Sequence, residues 1–301
     1  MPYWSYPQGF IVDPANMDQA GATAGQALVW DGSQWGPEAV LTLSPSGPGE
    51  DSLTYDSITD TGYYGEVATS ELVEGDALAL DVGLGAGISY NSDTPWLKFF
   101  VGASADCNAD GVDKVVYIAK KPYRYDLSWN DIYNEGCVYG VDGPGPYDSG
   151  SDTNQLTIVT YSGYDFKVRL LTGSENNPAP LDAGNTYCGD DVGNASEWND
   201  LMYRVHECIP NCASPLDCMG GYTEYHGGPQ GGSNWVNYTN CDLLVESGCG
   251  DGSYTWCQET GNDTSRRVYR GYYGFAFFHT YPADHAYTGC GWRPVLELVQ
   301  P

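Results

Sequence analysis

The stretch WLKFFVGASADCNADGVDKVVYIAKKP, Trp96 to Pro122, is two apolar runs around a polar turn. Trp96–Ala103 and Lys114–Pro122 are short and rich in β-branched and aromatic residues, which favours strands over helices. The Cys/Asp/Gly segment between them supplies the turn, so the pair reads as a hairpin. The same punctuation recurs further along. LTIVTYSGYDFKVRLLTG, Leu156–Gly173, is a second hairpin that turns at Ser162-Gly163. The strands SRRVYRGYYGFAFF and GWRPVLELV close the chain.

Helical signals are few and short. Glu71, Leu72, Val73, Asp76, Ala77 and Leu80 fall near helical spacing. In LSWNDIYNEG, Leu127–Gly136, Ser128 is placed to cap a helix, Asp131 stands at the capping-box position, and Gly136 ends it. NASEWNDLMYRVH, Asn194–His206, reads as a helix with Ser196 as its cap. No repeat of fixed period runs through the chain. The expected fold class is therefore α+β: small antiparallel sheets, two or three short helices and long ordered loops stapled by disulfides. Residues 1–50 read as an extended attachment or oligomerisation segment with a linker, and 51–125 as a small β-rich connecting region. Residues 126–301 read as the main domain, whose Cys-rich loops run from Glu207 to Gly252.

Composition narrows the function. The 301 residues include 40 acids against 12 Lys and Arg, a formal charge of −28. Such a surface repels nucleic-acid phosphates and anionic membranes, so nucleic acid is set aside as a partner. No window of about 18 apolar residues exists, which excludes membrane insertion by a helix. The opening MPYWSYPQGF has neither a basic nor an apolar region of the secretory kind. Yet the sequence holds 10 cysteines, a high even number for a reducing compartment. Two resolutions are open: a zinc protein, or a protein made in a cytoplasm that works outside it, such as a virion component released by lysis.

In GATAGQALVWDGSQWGP, Gly21–Pro37, Asp31-Gly32 turns a small hairpin that brings Trp35 back toward Trp30. A hairpin this size is not stable alone, so Trp30 and Trp35 are expected to serve assembly. This stretch resembles a short module of bacteriophage tail fibres and other tail proteins. The resemblance implies attachment to other virion proteins, usually in a homotrimer. A second resemblance, to a module of phage and prophage virion proteins, rests on GYYGEV, WLKF, YIAKKPYRYDLSWNDIYNEGCVYG, YDFKVRLLTG, SEWNDLMY, SYTWCQET, RVYRGYYG and GWRPVLEL. The C-terminal half, through Arg267-Val268-Tyr269-Arg270-Gly271 and Gly291-Trp292-Arg293, also resembles the C-type-lectin-like fold. That fold occurs in the formylglycine-generating enzyme family and in phage receptor-binding proteins. It implies a loop-decorated binding face on a rigid core.

The chemistry is read in that setting. DCNADGVD places Asp106, Asn108 and Asp110 at the alternate positions of a calcium loop. Calcium is the one cofactor this suggests, although Tyr117 stands where the loop would end in Glu, and a plain acidic turn is the competing reading. His206, Cys208, Cys212, Cys218 and His226 lack the tight pairs of common zinc motifs. Disulfides among Cys208, Cys212, Cys218, Cys241, Cys249 and Cys257 are expected instead, with most cysteines bonded. Arg169, Arg267, Arg270 and Arg293 lie in apolar strands and are expected to be buried, pairing with acids such as Glu197, Glu259 or Glu297. No nucleophile elbow, zinc-protease or phosphate-loop motif occurs, so no catalytic residue is assigned. The loops combine Tyr, Trp, His, Asn and Gly, a composition suited to stacking and hydrogen bonding. Tyr222, Tyr225, His226, Trp235, Tyr238, His279, Tyr281 and His285 are the expected ligand-binding residues. The expected function is a tail-fibre-type virion protein that is synthesised in the host cytoplasm and binds a host-surface glycan or protein. Capsid decoration or fibre spacing is the alternative, and glycan cleavage a further one.

Overall fold

The computed structural model describes residues 28–30, 35–37, 47–146, 152–179, 195–207, 234–261 and 263–299. The chain divides into two units, Met1–Ser46 and Gly47–Pro301. In the first, β1 (Leu28–Trp30) and β2 (Trp35–Pro37) pair antiparallel, with Trp30 opposite Trp35 in the register. The boundary expected near residue 125 falls inside the second unit.

Among the described residues of the second unit, thirteen strands make two sheets. The seven-stranded sheet contains β3 (Thr54–Asp56), β4 (Thr61–Val67), β6 (Trp96–Val101), β7 (Lys114–Ala119), β9 (Ile158–Tyr161), β10 (Tyr164–Arg169) and β15 (Val295–Leu298). Its order is β3-β4-β6-β7-β15-β10-β9. The six-stranded sheet contains β5 (Ile88–Ser89), β8 (Arg124–Tyr125), β11 (Tyr254–Thr260), β12 (Arg266–Gly271), β13 (Phe278–Pro282) and β14 (Cys290–Trp292), in the order β13-β12-β11-β14-β8-β5.

This mostly-β architecture corrects the expected α+β, C-type-lectin-like class. The segments with helical spacing form helices too short to make a layer: α1 (Gly75–Asp81), α2 (Trp129–Asn134) and α4 (Asn240–Leu243). The helix expected over Asn194–His206 is a π-helical turn, Trp198–Met202, running into the short α3 (Tyr203–Val205). The sequence GWRPVLEL, which resembles a single closing strand, is split between the sheets. Trp292 ends β14, which lies parallel to β11, and Val295 begins β15 between β7 and β10. Pro294 explains the break, because it offers no N–H to a ladder.

The local signals are otherwise followed closely. Every residue of β6 is buried, as a continuous apolar run requires, and β6 pairs with β7 from Trp96↔Ala119 to Val101↔Lys114. The one charge on β6, Lys98, gives its Nζ to the Glu50 carbonyl at 2.9 Å and lies 4.6 Å from the Tyr64 ring centre. Ser128 and Asp131 form the reciprocal capping box of α2. The β9–β10 hairpin turns through Ser162 (φ 51°) and Gly163 (φ 83°), the two left-handed residues that a tight two-residue turn demands.

Where the chain leaves one sheet for the other stands Arg293, fully buried. Its Nε donates to Thr255 Oγ1 at 3.1 Å, Nη2 to the Leu243 carbonyl at 2.6 Å, and Nη1 to the carbonyls of Ala119, at 2.9 Å, and Lys120. One side chain thus ties β11, the end of β7 and α4 together. Its hydrogen-bond partners among the described residues are neutral, and burial pulls its pKa down to about 9, so it remains a cation at neutral pH. Each carbonyl left without a donor in such a place costs about 1–3 kcal/mol. Arg293→Lys, with one donor group in place of a fork, is therefore expected to lose about 3 kcal/mol or more of unfolding free energy in urea. A loss under about 1 kcal/mol would show that the fork is not what joins the sheets.

Candidate functional site

At the β13 edge of the six-stranded sheet, aromatic rings from three strands and two loops collect into a platform. Tyr254 comes from β11 and Tyr269 from β12, while His279 and Tyr281 come from β13, with His279 opposite Tyr269 in the register. Tyr272 and Tyr273 follow β12, and His285 and Tyr287 lie in the loop before β14. Tyr254, Tyr269, Phe277 and His279 are buried; Tyr272, Tyr273, Tyr281 and Tyr287 are half-buried and His285 is exposed. Tyr272 stacks on Tyr254 with centroids 4.0 Å apart and planes 10° from parallel. His279 stacks on Tyr269 at 5.3 Å, and Tyr281 meets Tyr269 at 5.8 Å and His285 at 4.7 Å. The rings are close-packed, Tyr254 lying 4.1 Å from Tyr269 and 6.0 Å from Tyr287 between centroids. Burial, the largest influence, raises the pKa of Tyr254 and of Tyr287, so the platform carries neutral hydroxyls.

Tyr272 holds its place against local preference. Gly271 (φ 92°) and Tyr272 (φ 82°) are consecutive left-handed residues. A Cβ on Gly271 would lie 2.4 Å from the Ser253 carbonyl oxygen, so only glycine fits there. For a bulky residue such as Tyr272 that backbone costs about 1–3 kcal/mol and persists only where its surroundings impose it. Here the Ser247 N–H donates to the Tyr272 carbonyl at 2.7 Å, Gly274 N–H to Val245 at 3.1 Å, and Glu246 bridges Tyr273. That supporting segment is α4 and the turn after it. The Thr239/Asp242 capping box fixes its start and the Cys241–Cys249 disulfide closes it.

The expected ligand residues are distributed as follows. His279 is buried as a support of the platform, whereas Tyr281 and His285 lie at its surface. Trp235 and Tyr238 are elsewhere, against β4 and β6. Trp235 stacks on Tyr63 at 6.2 Å and lies 6.0 Å from Phe99. Tyr238 gives its hydroxyl to Glu66 at 2.6 Å while Lys120 sits 4.0 Å over its ring. Tyr222, Tyr225 and His226 lie outside the described residues, as do Cys208, Cys212 and Cys218. Of the other disulfide candidates, Cys241 and Cys249 are bonded to each other and Cys257 is a buried free thiol, as are Cys137 and Cys290. With Cys107 also free, the expectation that most cysteines are bridged is not met among the described ones. Asp106, Asn108 and Asp110 do three different jobs. Asn108 turns its amide onto the Gly102 and Val112 carbonyls, Asp110 pairs with Lys114 at 3.2 Å, and Asp106 is exposed. Among the described residues no group of His, Cys, Asp and Glu is placed to hold a metal ion.

A polar cleft of about 520 Å³ lies on the seven-stranded sheet, lined in part by Lys114, Lys167, Arg169, Glu197 and Glu297. Arg169 grips Glu197 through two hydrogen bonds, 2.7 and 2.6 Å, and Glu297 through a third at 3.0 Å. Burial raises the pKa of Glu297, but Arg169, Lys114 and Lys167 around it bring it down to about 2. It is thus an ion-pair partner and donates no proton at neutral pH. Glu197 precedes the π-helical turn, so this network anchors that turn to the sheet. Arg267 and Arg270 are buried, as expected, and pack on Trp129 at 4.2 Å and Phe278 at 4.7 Å, with carbonyl oxygens among their hydrogen-bond partners.

Tyr272, Tyr273 and Tyr287 were not singled out by sequence reasoning. The signal was present in Gly271-Tyr272-Tyr273-Gly274, two rings between two hinge residues. No family model matches the chain, and comparison with curated proteins and with solved structures finds no similar protein. No helix among the described residues is long and apolar enough to cross a membrane.

Two outcomes are expected. Replacing Cys241 and Cys249 together by Ser should lengthen the tyrosine-rich segment's excursions. Hydrogen exchange at Ser247 and Gly274 should accelerate by about tenfold or more, while amides of β6 and β7 stay unchanged. Unchanged exchange at Ser247 and Gly274 would show that the bridge does not support the platform. The second concerns Asp200, in the π-helical turn, whose two carboxyl oxygens are buried without hydrogen-bond partners. Burial pushes its pKa from 3.8 up to about 7, against the neighbouring Cys107 thiol and Arg204. A carboxyl whose pKa rises on folding stabilises the fold fully below its unfolded pKa and loses that contribution as pH rises to the folded value. Asp200→Asn should therefore gain thermal stability relative to the parent between pH 4 and pH 7, the window set by those two values. A difference that does not vary with pH would contradict the assignment.

Proposed function

We propose that this protein is a non-catalytic recognition module that binds a glycan on the platform of Tyr272, Tyr273, Tyr281, His285 and Tyr287. The observation that carries this reading is Tyr272, held at φ 82° with one face on Tyr254 and half-buried at the surface. A fold that bears local strain in order to present a ring is using that ring. Tyrosine rings stack on the apolar faces of sugars and their hydroxyls meet sugar hydroxyls, at low cost in side-chain freedom. The surrounding charge of −28 disfavours phosphate-rich partners.

The wider setting rests on the sequence resemblances. The Gly21–Pro37 module and its β1–β2 hairpin support attachment to other virion proteins, in a trimer. The reading is then a host-recognition protein of a bacteriophage tail, released by lysis, whose second unit meets the host surface.

Tyr272→Gly separates binding from folding, because glycine removes the ring and relieves the backbone together. Its melting temperature should stay within about 2 °C of the parent or rise. Retention on immobilised host-surface polysaccharide should fall by about tenfold or more, equivalent to about 1.4 kcal/mol. Full retention, or a domain that unfolds, would make Tyr272 a packing residue and overturn the site.

A further inference from the structure

A second cavity, of about 540 Å³, adjoins the platform and is lined by Asn130, Thr264, Ser265, Arg267, Pro282, Ala283 and Asp284. Its volume falls within the range of about 300–1,000 Å³ usual for small-ligand sites. Three segments build it and are laced together by backbone bonds. The Asn130 N–H at the start of α2 donates to Ala283 at 2.9 Å, and the Ala283 N–H donates to Ser265 at 2.9 Å. Pro282, Ala283 and Asp284 run directly between Tyr281 and His285 of the platform. Arg267 stands opposite Tyr281 in the β12–β13 register, so both side chains leave the same face of the sheet.

The lining is mixed in polarity. Arg267 contributes to the lining, its guanidinium carbon 4.2 Å from the Trp129 ring centre and one nitrogen on the Thr264 and Arg266 carbonyls. Asn130 lines the cavity half-buried, and among the described residues its Oδ1 has no hydrogen-bond partner, an acceptor that a ligand hydroxyl can satisfy. Asp284 is exposed at the rim and accepts only. Thr264 and Ser265 add hydroxyls. Among the described residues of the lining and their sequence neighbours, Arg266 and Arg267 stand against Asp263 and Asp284, so the two signs balance.

We infer that this cavity is the specificity subsite of the glycan platform and takes one neutral sugar ring, whose adjacent hydroxyls meet Asn130 and Asp284. The inference rests on the platform reading and adds the class of sugar. A neutral ring supplies hydroxyls that both donate and accept, which suits an amide beside a carboxylate. A uronic or sialic acid would bring its carboxylate against Asp284, with Asp263 near and a strongly acidic surface around. Tyr281 and His285, on either side of the Pro282–Asp284 segment, then stack the neighbouring ring of the same chain.

The test is titration calorimetry of the full chain with neutral hexasaccharides of glucose, mannose and galactose, and with a galacturonate hexasaccharide. The parent should bind at least one neutral chain and bind galacturonate at least tenfold more weakly. Asn130→Ala and Asp284→Asn, with unchanged melting temperatures, should each weaken the neutral chain tenfold or more, and Asp284→Asn should narrow the gap to galacturonate. If both variants bind like the parent while Tyr281→Ala does not, the subsite is wrong and the platform stands. Preference for galacturonate overturns the neutral class alone. If no oligosaccharide binds, the platform reading falls and this inference with it.

Discussion

The structure of the second unit depends on a buried cation that, among the described residues, is held by neutral groups. Arg293 lies where the chain crosses from the six-stranded to the seven-stranded sheet, and its fork is spent on carbonyls and a hydroxyl from β7, β11 and α4. A guanidinium held by neutral acceptors is costly to bury, and it repays that cost only when every N–H is engaged. Its contact to Leu243 links it to the proposed site. Leu243 ends α4, the segment that the Cys241–Cys249 bridge closes and that holds the backbone at Tyr272. The joint between the sheets and the support of the strained tyrosine are therefore one connected structure.

Charge is used sparingly and in two ways. With 12 basic residues among 301, this chain keeps several of them inside. Arg169 satisfies Glu197 and Glu297 and so fixes the π-helical turn, whose Asp200 then sits in the interior. Arg267, Arg270 and Lys98 lie against aromatic rings, so their charge is met by ring faces as well as carbonyls. Among the described residues Asp56, Glu197, Asp200, Glu259 and Glu297 are buried, and most of the other acids lie at the surface. The platform is built where neither sign dominates, from rings bearing neutral hydroxyls.

Local structure was legible in the sequence to a large extent. The apolar runs at Trp96 and Lys114 are strands, Ser128 and Asp131 cap a helix, and Ser162-Gly163 turns a hairpin, because each outcome is set by a few neighbouring residues. The architecture was not legible. Whether helices form a layer depends on their length after tertiary packing, and α1 and α2 stop at seven and six residues. The split of GWRPVLEL between sheets needs knowledge of which strands flank β14 and β15, which no local pattern carries. The site was legible in part. Tyr281 and His285 stand out through their loop neighbours, whereas Trp235 has similar neighbours and packs against Tyr63. Composition cannot tell those cases apart, since a ring packed against a neighbouring sheet and one at the platform look alike in the sequence, and Trp235 and Tyr281 are both half-buried. Tyr272 is revealed only by its backbone angle.

In the proposed function the six-stranded sheet presents hydroxyl-bearing rings, one of them on the strained backbone of Tyr272, to a sugar chain. The most direct measurement is nuclear magnetic resonance of the protein with isotope-labelled tyrosine, titrated with purified host-surface glycan. The account predicts that ring signals of Tyr272, Tyr273, Tyr281 and Tyr287 move together and saturably, while those of Tyr63, Tyr117 and Tyr133, buried or packed elsewhere, stay fixed. Saturable binding that moves other tyrosines and leaves these four unchanged would contradict it.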